Sequence, residues 1–389
     1  MTGQARARMQ FALIFAAHAL GAMSVLSVLT AGPQLTLALG LTPVQLGGLA
    51  SIYSAALAAA SLPAGLVTDR LGTRAALALS ALSIAAGLAV AAASGGFAQM
   101  GAGMALCGAG YGLINPAAGR AITVWFTPQW RTTLLSLKQT GVPAGAALGS
   151  LTALLGPVWG WQAGIVCAAL IAFLAGGLFL LLLPSEGPQP THLVPRHNPL
   201  AEILALPDLG RANLAAGLTN GMQFALWAYL PELLQRSFGA GAAVLGLSLA
   251  ALHLGTFLGR VAWGVLTDRL LRGDPAQGLR VLCALALAGV GALGAVTLVA
   301  SPVLAVVACF VLGFTICAAV GLHVALTARI APDHLLGGAL GYTMLFTNLG
   351  GVGVPMLLGL VVSLAGIGGA ALALAIFVGL IFGLLRKFA

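Results

Sequence analysis

Twelve apolar runs, each long enough to cross a bilayer as a helix, take up most of the chain. A helix rises about 1.5 Å per residue, so about 20 apolar residues span a hydrocarbon core of about 30 Å. Such runs lie at 10–36, 43–67, 75–94, 97–125, 134–155 and 162–183, and again at 209–233, 243–266, 279–299, 303–327, 337–363 and 367–385. In lipid the backbone has to satisfy its own polar groups, and runs of this length do so as helices. Composition agrees: 60% of the 389 residues are hydrophobic and 6% are charged, against roughly 25% charged in soluble domains. The mean hydropathy is +1.05. The predicted fold is an all-α membrane protein with two bundles of six spans, 1–183 and 209–389, and a linker at 184–208. That linker, PSEGPQPTHLVPRHNPLAEILALPD, holds too many prolines for a spanning helix. It has room for a short surface helix around Leu200–Leu206, and His192 and His197 read as loop histidines.

The net charge of +9 comes from basic residues scattered singly between apolar runs, without the basic stripe and interleaved aromatics of a nucleic-acid binder. Arg6 and Arg8 before an apolar run imitate a signal peptide, but the run is too long and eleven more follow, so it reads as span one. Alternation from Arg6 puts Arg70, Arg74, Arg131, Arg196, Arg269, Arg272, Arg280, Arg329, Arg386 and Lys387 on one side, with Arg236 opposite. The positive-inside rule then predicts a cell inner membrane protein with both termini cytoplasmic. The five cysteines all fall in apolar runs without paired spacing, so neither a disulfide nor a metal site is expected.

One short stretch occurs twice. Gly65-Leu66-Val67-Thr68-Asp69-Arg70-Leu71-Gly72-Thr73-Arg74 closes the second run, and Gly264-Val265-Leu266-Thr267-Asp268-Arg269 closes the eighth, 199 residues on. Such duplication marks a body built from two similar halves. An aspartate at a span's inner end can meet the positive end of a neighbouring helix.

The pattern Gly-x-x-x-Asp-Arg-x-Gly-x-Arg between spans two and three resembles the hallmark loop of the major facilitator superfamily, and the first copy matches it throughout. The second keeps Gly264, Asp268 and Arg269, with Leu271 in place of the second glycine, followed by Arg272 and Gly273. The resemblance implies that Asp69 caps span eleven of the other half and Asp268 caps span five, so that Asp69, Arg70, Arg74, Asp268 and Arg269 form a gate for alternating access. Without it, these charges could simply anchor the loop at headgroups, and Gly65 and Gly264 would be close-packing positions.

Ionisable residues inside spans cost at least about 2.5–3.5 kcal/mol each at mid-depth, and so point to function. Arg120 in span four, Lys138 in span five and Arg260 in span eight all approach the midplane. No Asp or Glu shares their depth, and Glu232 only reaches the outer end of span seven. Buried cations without buried anions predict a small anionic substrate, unless they snorkel to headgroups. Tyr53, Asn115, Asn220, Gln223, Tyr342, Thr347 and Asn348 fill out the candidate cavity. Arg260 stands four residues before the motif glycine in GRVAWGVLTDR, where monocarboxylate, oxalate-formate and nitrate porters of that superfamily carry a substrate-binding arginine. Ser61 occupies the matching place in span two, where the nitrate pattern has a second arginine, which favours a carboxylate.

His18, His253 and His323 are the candidates for proton coupling, with a proton carried on the substrate and simple anion exchange as alternatives. The competing transport reading is proton-driven export of drugs or metabolites, suggested by Gly156-Pro157-Val158-Trp159-Gly160 after span five. Against it, Ala98–Met100 lack the exporters' arginine. HExxH and GxxxxGK[ST] are absent, as is any nucleophile with a placed base, so neither enzyme activity nor a cofactor is expected. The expected partners are the anion, membrane lipids and protons as the coupling ion, around a monomer.

Overall fold

The computed structural model describes residues 3–127, 134, 137–185, 200–206, 208–239, 241–332 and 335–388. Arg131, His192 and His197 lie outside the described residues, as does most of the linker. What is described is helical. Span one is Gly3–Leu29, and spans two and three run together as Pro43–Ala92. Span four is Phe97–Gly112 continued by Ile114–Trp125, span five centres on Gly141–Thr152, and span six is Trp161–Leu182. After the short helix Leu200–Leu204 come Leu209–Phe238, Ala242–Leu270 and Pro275–Val299, which are spans seven to nine. Span ten is Pro302–Phe314 continued by Val320–Ile330, and Leu336–Leu385 holds spans eleven and twelve on either side of Gly366.

Eleven of the described helices are long and apolar enough to cross a membrane by length and composition. The remaining span, Leu209–Phe238, is more polar than the others, yet its polar residues are turned inward: Asn213, Asn220, Gln223 and Glu232 are all buried. Its partners are protein groups rather than lipid, so its sequence can afford polarity that the lipid-facing spans cannot.

The duplicated stretch turns the chain in two different ways. Gly72 sits at φ 78°, ψ 163°, a region essentially restricted to glycine, and its missing Cβ lets span two end and span three begin without a loop. With Leu271 in the equivalent place, the second copy turns one step later, through Arg272 at φ 55° and Gly273 at φ 71°. Asp274 then caps span nine, accepting from Ala276 N at 2.9 Å and Gln277 N at 3.2 Å, with Pro275 following it.

Two compact units emerge, residues 1–41 with 52–192 and residues 42–51 with 193–389. The first unit is tightened where spans one and five touch backbone to backbone. A Cβ on Gly141, Gly145 or Gly149 would fall 2.7, 1.9 or 2.5 Å from the carbonyl oxygens of Phe15, Ala19 and Met23. Spans seven and eleven meet the same way in the second unit, where a Cβ on Gly221 would lie 2.4 Å from Gly350 O. The start of span two, assigned by sequence to the first half, groups with the second unit. Tyr229 Oη donates to Pro43 O at 2.6 Å and lies 3.0 Å from Pro355 O, while Ser51 Oγ donates to Val352 O at 2.6 Å. Gly47 and Gly359 leave the slot that this tyrosine hydroxyl fills.

Candidate functional site

In the first unit, the close approach of spans one and five brings Lys138 onto His18. Lys138 is 5% exposed, and its Nζ donates to Asn115 Oδ1 at 3.1 Å and to His18 Nε2 at 3.2 Å. His18 Nδ1 lies 3.3 Å from Ile14 O. With the ring proton on Nδ1, facing that carbonyl, Nε2 is an acceptor. Two acceptors, His18 Nε2 and Asn115 Oδ1, then sit 3.1 Å apart, an arrangement stabilised by a shared ammonium. Among the described residues no acidic side chain pairs with Lys138. An ammonium has three N–H donors, and two are used among the described residues.

Arg120 departs from expectation. Its Nη1 donates to Asp69 Oδ1 at 2.9 Å, with the side chains 12% and 41% exposed. The cation expected to serve substrate is instead tied to the motif acid across spans two and four. Asp69 in turn accepts from this guanidinium through Oδ1. The arginine's reach explains the miss: its guanidinium extends away from its Cα toward the end of span two, so counting residues overstated its depth. Arg70 is exposed and Arg74 half-buried. A Cβ on Gly65 or Gly264 would meet nothing within 4 Å, so neither motif glycine is close-packed.

Tyr53 is also corrected. It is fully buried, with Oη donating to Gly21 O at 2.8 Å and its ring beside Tyr111 at 6.4 Å, and it serves as packing within the first unit.

In the second unit, Arg260 lines a cavity of about 410 Å³ together with Trp263, Thr267, Asp268 and Arg329. Trp263 is fixed by its Nε1, which donates to Phe314 O at 2.7 Å. An acid, Asp268, therefore lines the same cavity as Arg260, eight residues further along the span. Arg329 pairs with Asp274 at 2.8 Å. Asp268 and Arg269 are exposed.

A neutral seam runs through spans seven, ten and eleven. His323 Nε2 lies 3.0 Å from Thr219 Oγ1, and Asn220 Nδ2 donates to Thr347 O at 2.8 Å. Gln223 and His253 are buried, at 3% and 2% exposure, and Asn348 is half-buried. Tyr342 is half-buried, stacks edge-on against Phe346 and packs on the cluster of Ile203, Leu209 and Leu335. Sequence reasoning gave no role to Asp274, Thr219, Trp263 or Tyr229. Of these only Asp274, an aspartate directly before Pro275, carried a readable helix-start signal. Glu232 proves to be inside the helix of span seven, 4% exposed and paired with Arg236 at 2.5 Å.

Among the described residues, eleven helices long and apolar enough to cross a membrane, with buried polar seams inside each unit, define a multi-pass helical membrane protein. A family model described as Major Facilitator Superfamily matches residues 12–355, and the chain belongs to that superfamily. An uncharacterized MFS-type transporter of Mycobacterium tuberculosis is 28% identical over 265 residues, which is 68% of this chain and 59% of that protein's length. A probable L-galactonate transporter of Escherichia coli K12 is 26% identical over 259 residues, 61% of this chain and 56% of the relative. Among solved structures, a bacterial homolog of the human lysosomal transporter Spinster, inward-facing and occupied, aligns with a TM-score of 0.75 at 15% identity, covering 97% of this chain and 95% of its own. The nucleoside transporter NupG gives 0.75 at 16% identity, covering 97% and 98%. At such identities the likeness is one of fold.

Proposed function

We propose that the protein is a secondary transporter that moves a small organic anion, a carboxylate, across the cell inner membrane by alternating access, with both termini cytoplasmic. The observation that carries this reading is Lys138, a buried ammonium held by the neutral acceptors His18 and Asn115 with one N–H to spare among the described residues. Keeping a cation out of water costs several kcal/mol, and a travelling carboxylate is the partner that offsets it. In the second unit, Arg260, Asn220, Gln223 and Asn348 are further candidates of the proposal, each tested by its own variant. Arg120 is withdrawn from the substrate set, because Asp69 occupies it. L-galactonate, the substrate in the name of one relative, is a sugar acid and so fits the proposed class.

The gate is assigned to the two motif copies. Asp69, Arg70 and Arg74 act in the first, Asp268 and Arg269 in the second, and exchange of the Asp69–Arg120 pair for other partners is the event that resets it. Proton symport and anion exchange are distinguished by whether an inward pH gradient or preloaded anion drives uptake, with His18, His253 and His323 as the groups to vary.

Proteoliposomes containing the purified chain test the reading by uptake of labelled L-galactonate and short mono- and dicarboxylates alongside uncharged sugar analogues. Carboxylate uptake that falls in Lys138→Met and Arg260→Gln is the expected result. Equal uptake of the uncharged analogues, or wild-type uptake in both variants, refutes it.

A further inference from the structure

A second basic site lies at the opposite flank of the second unit from the Arg260 cavity in chain terms, where span seven begins and span twelve ends. Arg211 and Lys387 line a cavity of about 490 Å³ whose remaining walls include Ile376, Gly379, Gly383 and Leu384. Positions 376, 379, 380, 383, 384 and 387 recur every three or four residues, so they form one face of span twelve. A Cβ on Gly379 or Gly383 would meet nothing within 4 Å, so the two glycines leave an open channel along this face. Ile376 is 54% exposed, an apolar side chain turned away from the protein. From Ile376 to Lys387 the face runs eleven residues, about 16 Å at the helical rise, which is close to half of a hydrocarbon core of about 30 Å. The basic end coincides with the end of the span.

We propose that this groove is a binding site for one anionic phospholipid, with its phosphate on Lys387 and Arg211 and an acyl chain laid over Gly379 and Gly383. Charge complementarity selects the occupant. Arg211 bonds Asp208 through Nη1, and the remaining guanidinium N–H groups are available to a phosphate, since its side chain is 43% exposed. Lys387 is exposed and Arg386 adjoins it, so the cluster stays net positive after Asp208 is counted. Basic pockets at the membrane surface between spans recruit anionic headgroups in this way, and each cation there contributes about fivefold in affinity.

The test uses the full chain in nanodiscs and in detergent. Native mass spectrometry and thermal shift are read with phosphatidylglycerol, with phosphatidylcholine of the same acyl chains, and with inorganic phosphate alone. The expected result is retention of one phosphatidylglycerol, with stabilisation that phosphatidylcholine and free phosphate do not give. Lys387→Gln should weaken it about fivefold, and Gly379→Leu with Gly383→Leu should abolish it by filling the channel while leaving both cations in place. Equal retention of the zwitterionic lipid, unchanged phosphatidylglycerol binding in Lys387→Gln, or the same shift from inorganic phosphate overturns the proposal. If the double leucine variant loses its helical signal, the single Gly379→Leu replaces it, and undiminished binding there counts against the groove.

Discussion

Replacing Lys138 by methionine separates a substrate-binding cation from a structural one. Methionine approximates the stem of lysine and removes the charge with its N–H donors, so most of the apolar packing is kept. The loss is one charge-assisted hydrogen bond to the carboxylate, about 1.5–3 kcal/mol. At about 1.4 kcal/mol per decade this weakens substrate affinity about 10- to 150-fold. The fold should absorb the change. His18 Nε2 and Asn115 Oδ1 lie 3.1 Å apart, so moving the ring proton from Nδ1 to Nε2 turns a clash of two acceptors into a hydrogen bond. Ile14 O gives up that side-chain donor but remains a helix carbonyl within Gly3–Leu29. Stability therefore changes by no more than about 1 kcal/mol, a shift of about 1 °C for a chain of 389 residues. Scintillation proximity binding of a labelled carboxylate, run beside thermal unfolding of the same preparation, measures both quantities. A folded Lys138→Met protein that binds with wild-type affinity refutes the assignment.

The Asp69→Asn variant removes the charged partner of a guanidinium that is 12% exposed, costing about 1.5–3 kcal/mol. Adding Arg120→Gln should recover most of it, and strictly additive losses in a double-mutant thermal cycle would show that the pair does not couple. Gly72→Ala, at φ 78° and ψ 163°, should cost about 1–3 kcal/mol in unfolding free energy. Gly65→Ala, whose Cβ meets nothing within 4 Å, should instead be neutral or gain up to about 1 kcal/mol, and equal losses at the two sites would contradict the turn assignment. Thr343 Oγ1 contacts Asn213 Oδ1 at 2.6 Å and Thr327 Oγ1 at 2.9 Å, so Thr343→Val strands buried acceptors and should cost about 1–3 kcal/mol. Thr347→Val, whose hydroxyl donates only locally to Thr343 O at 2.8 Å, should cost less than half as much by the same melt, and parity between them would remove the case for a connected seam.

The all-helical membrane fold and the linker helix were legible because hydropathy is additive along a chain: each run states its own fate. The glycine ladder of span five was legible for a related reason, since Gly141, Gly145 and Gly149 share one helix face whatever lies opposite. Side-chain partners were not. Arg120 and Asp69 are separated by 51 positions, and Lys138 and His18 by 120. Whether a cation finds an acid over such distances depends on which way a flexible side chain leans, which a rise per residue does not record. Arg120 leaned toward the motif acid, and Lys138 was held by span one. Tyr53 differs from expectation for another reason: one helix position rotates a side chain by about 100°, which is enough to turn a tyrosine from cavity wall to core, where Tyr53 is fully buried.

The duplication conserved backbone contacts and let charge diverge. Spans one and five in the first unit, and seven and eleven in the second, meet through glycines that bring backbones together. The first of these seams is bridged by an ammonium, the second by the neutral pairs Asn220 to Thr347 O and Thr343 to Asn213. The proposed transporter has to release what it binds, so its site cannot hold its guest too firmly. At the first seam Lys138 is held by two neutral acceptors, so in the proposed reading a carboxylate would add a bond without displacing a resident acid. Had an aspartate been lodged there, as Asp69 is beside Arg120, every substrate would first have to break an ion pair. Under the proposed function, neutral partners leave the cation both anchored and available, which is why the proposal places the anion at this seam and not at the Arg120 pair.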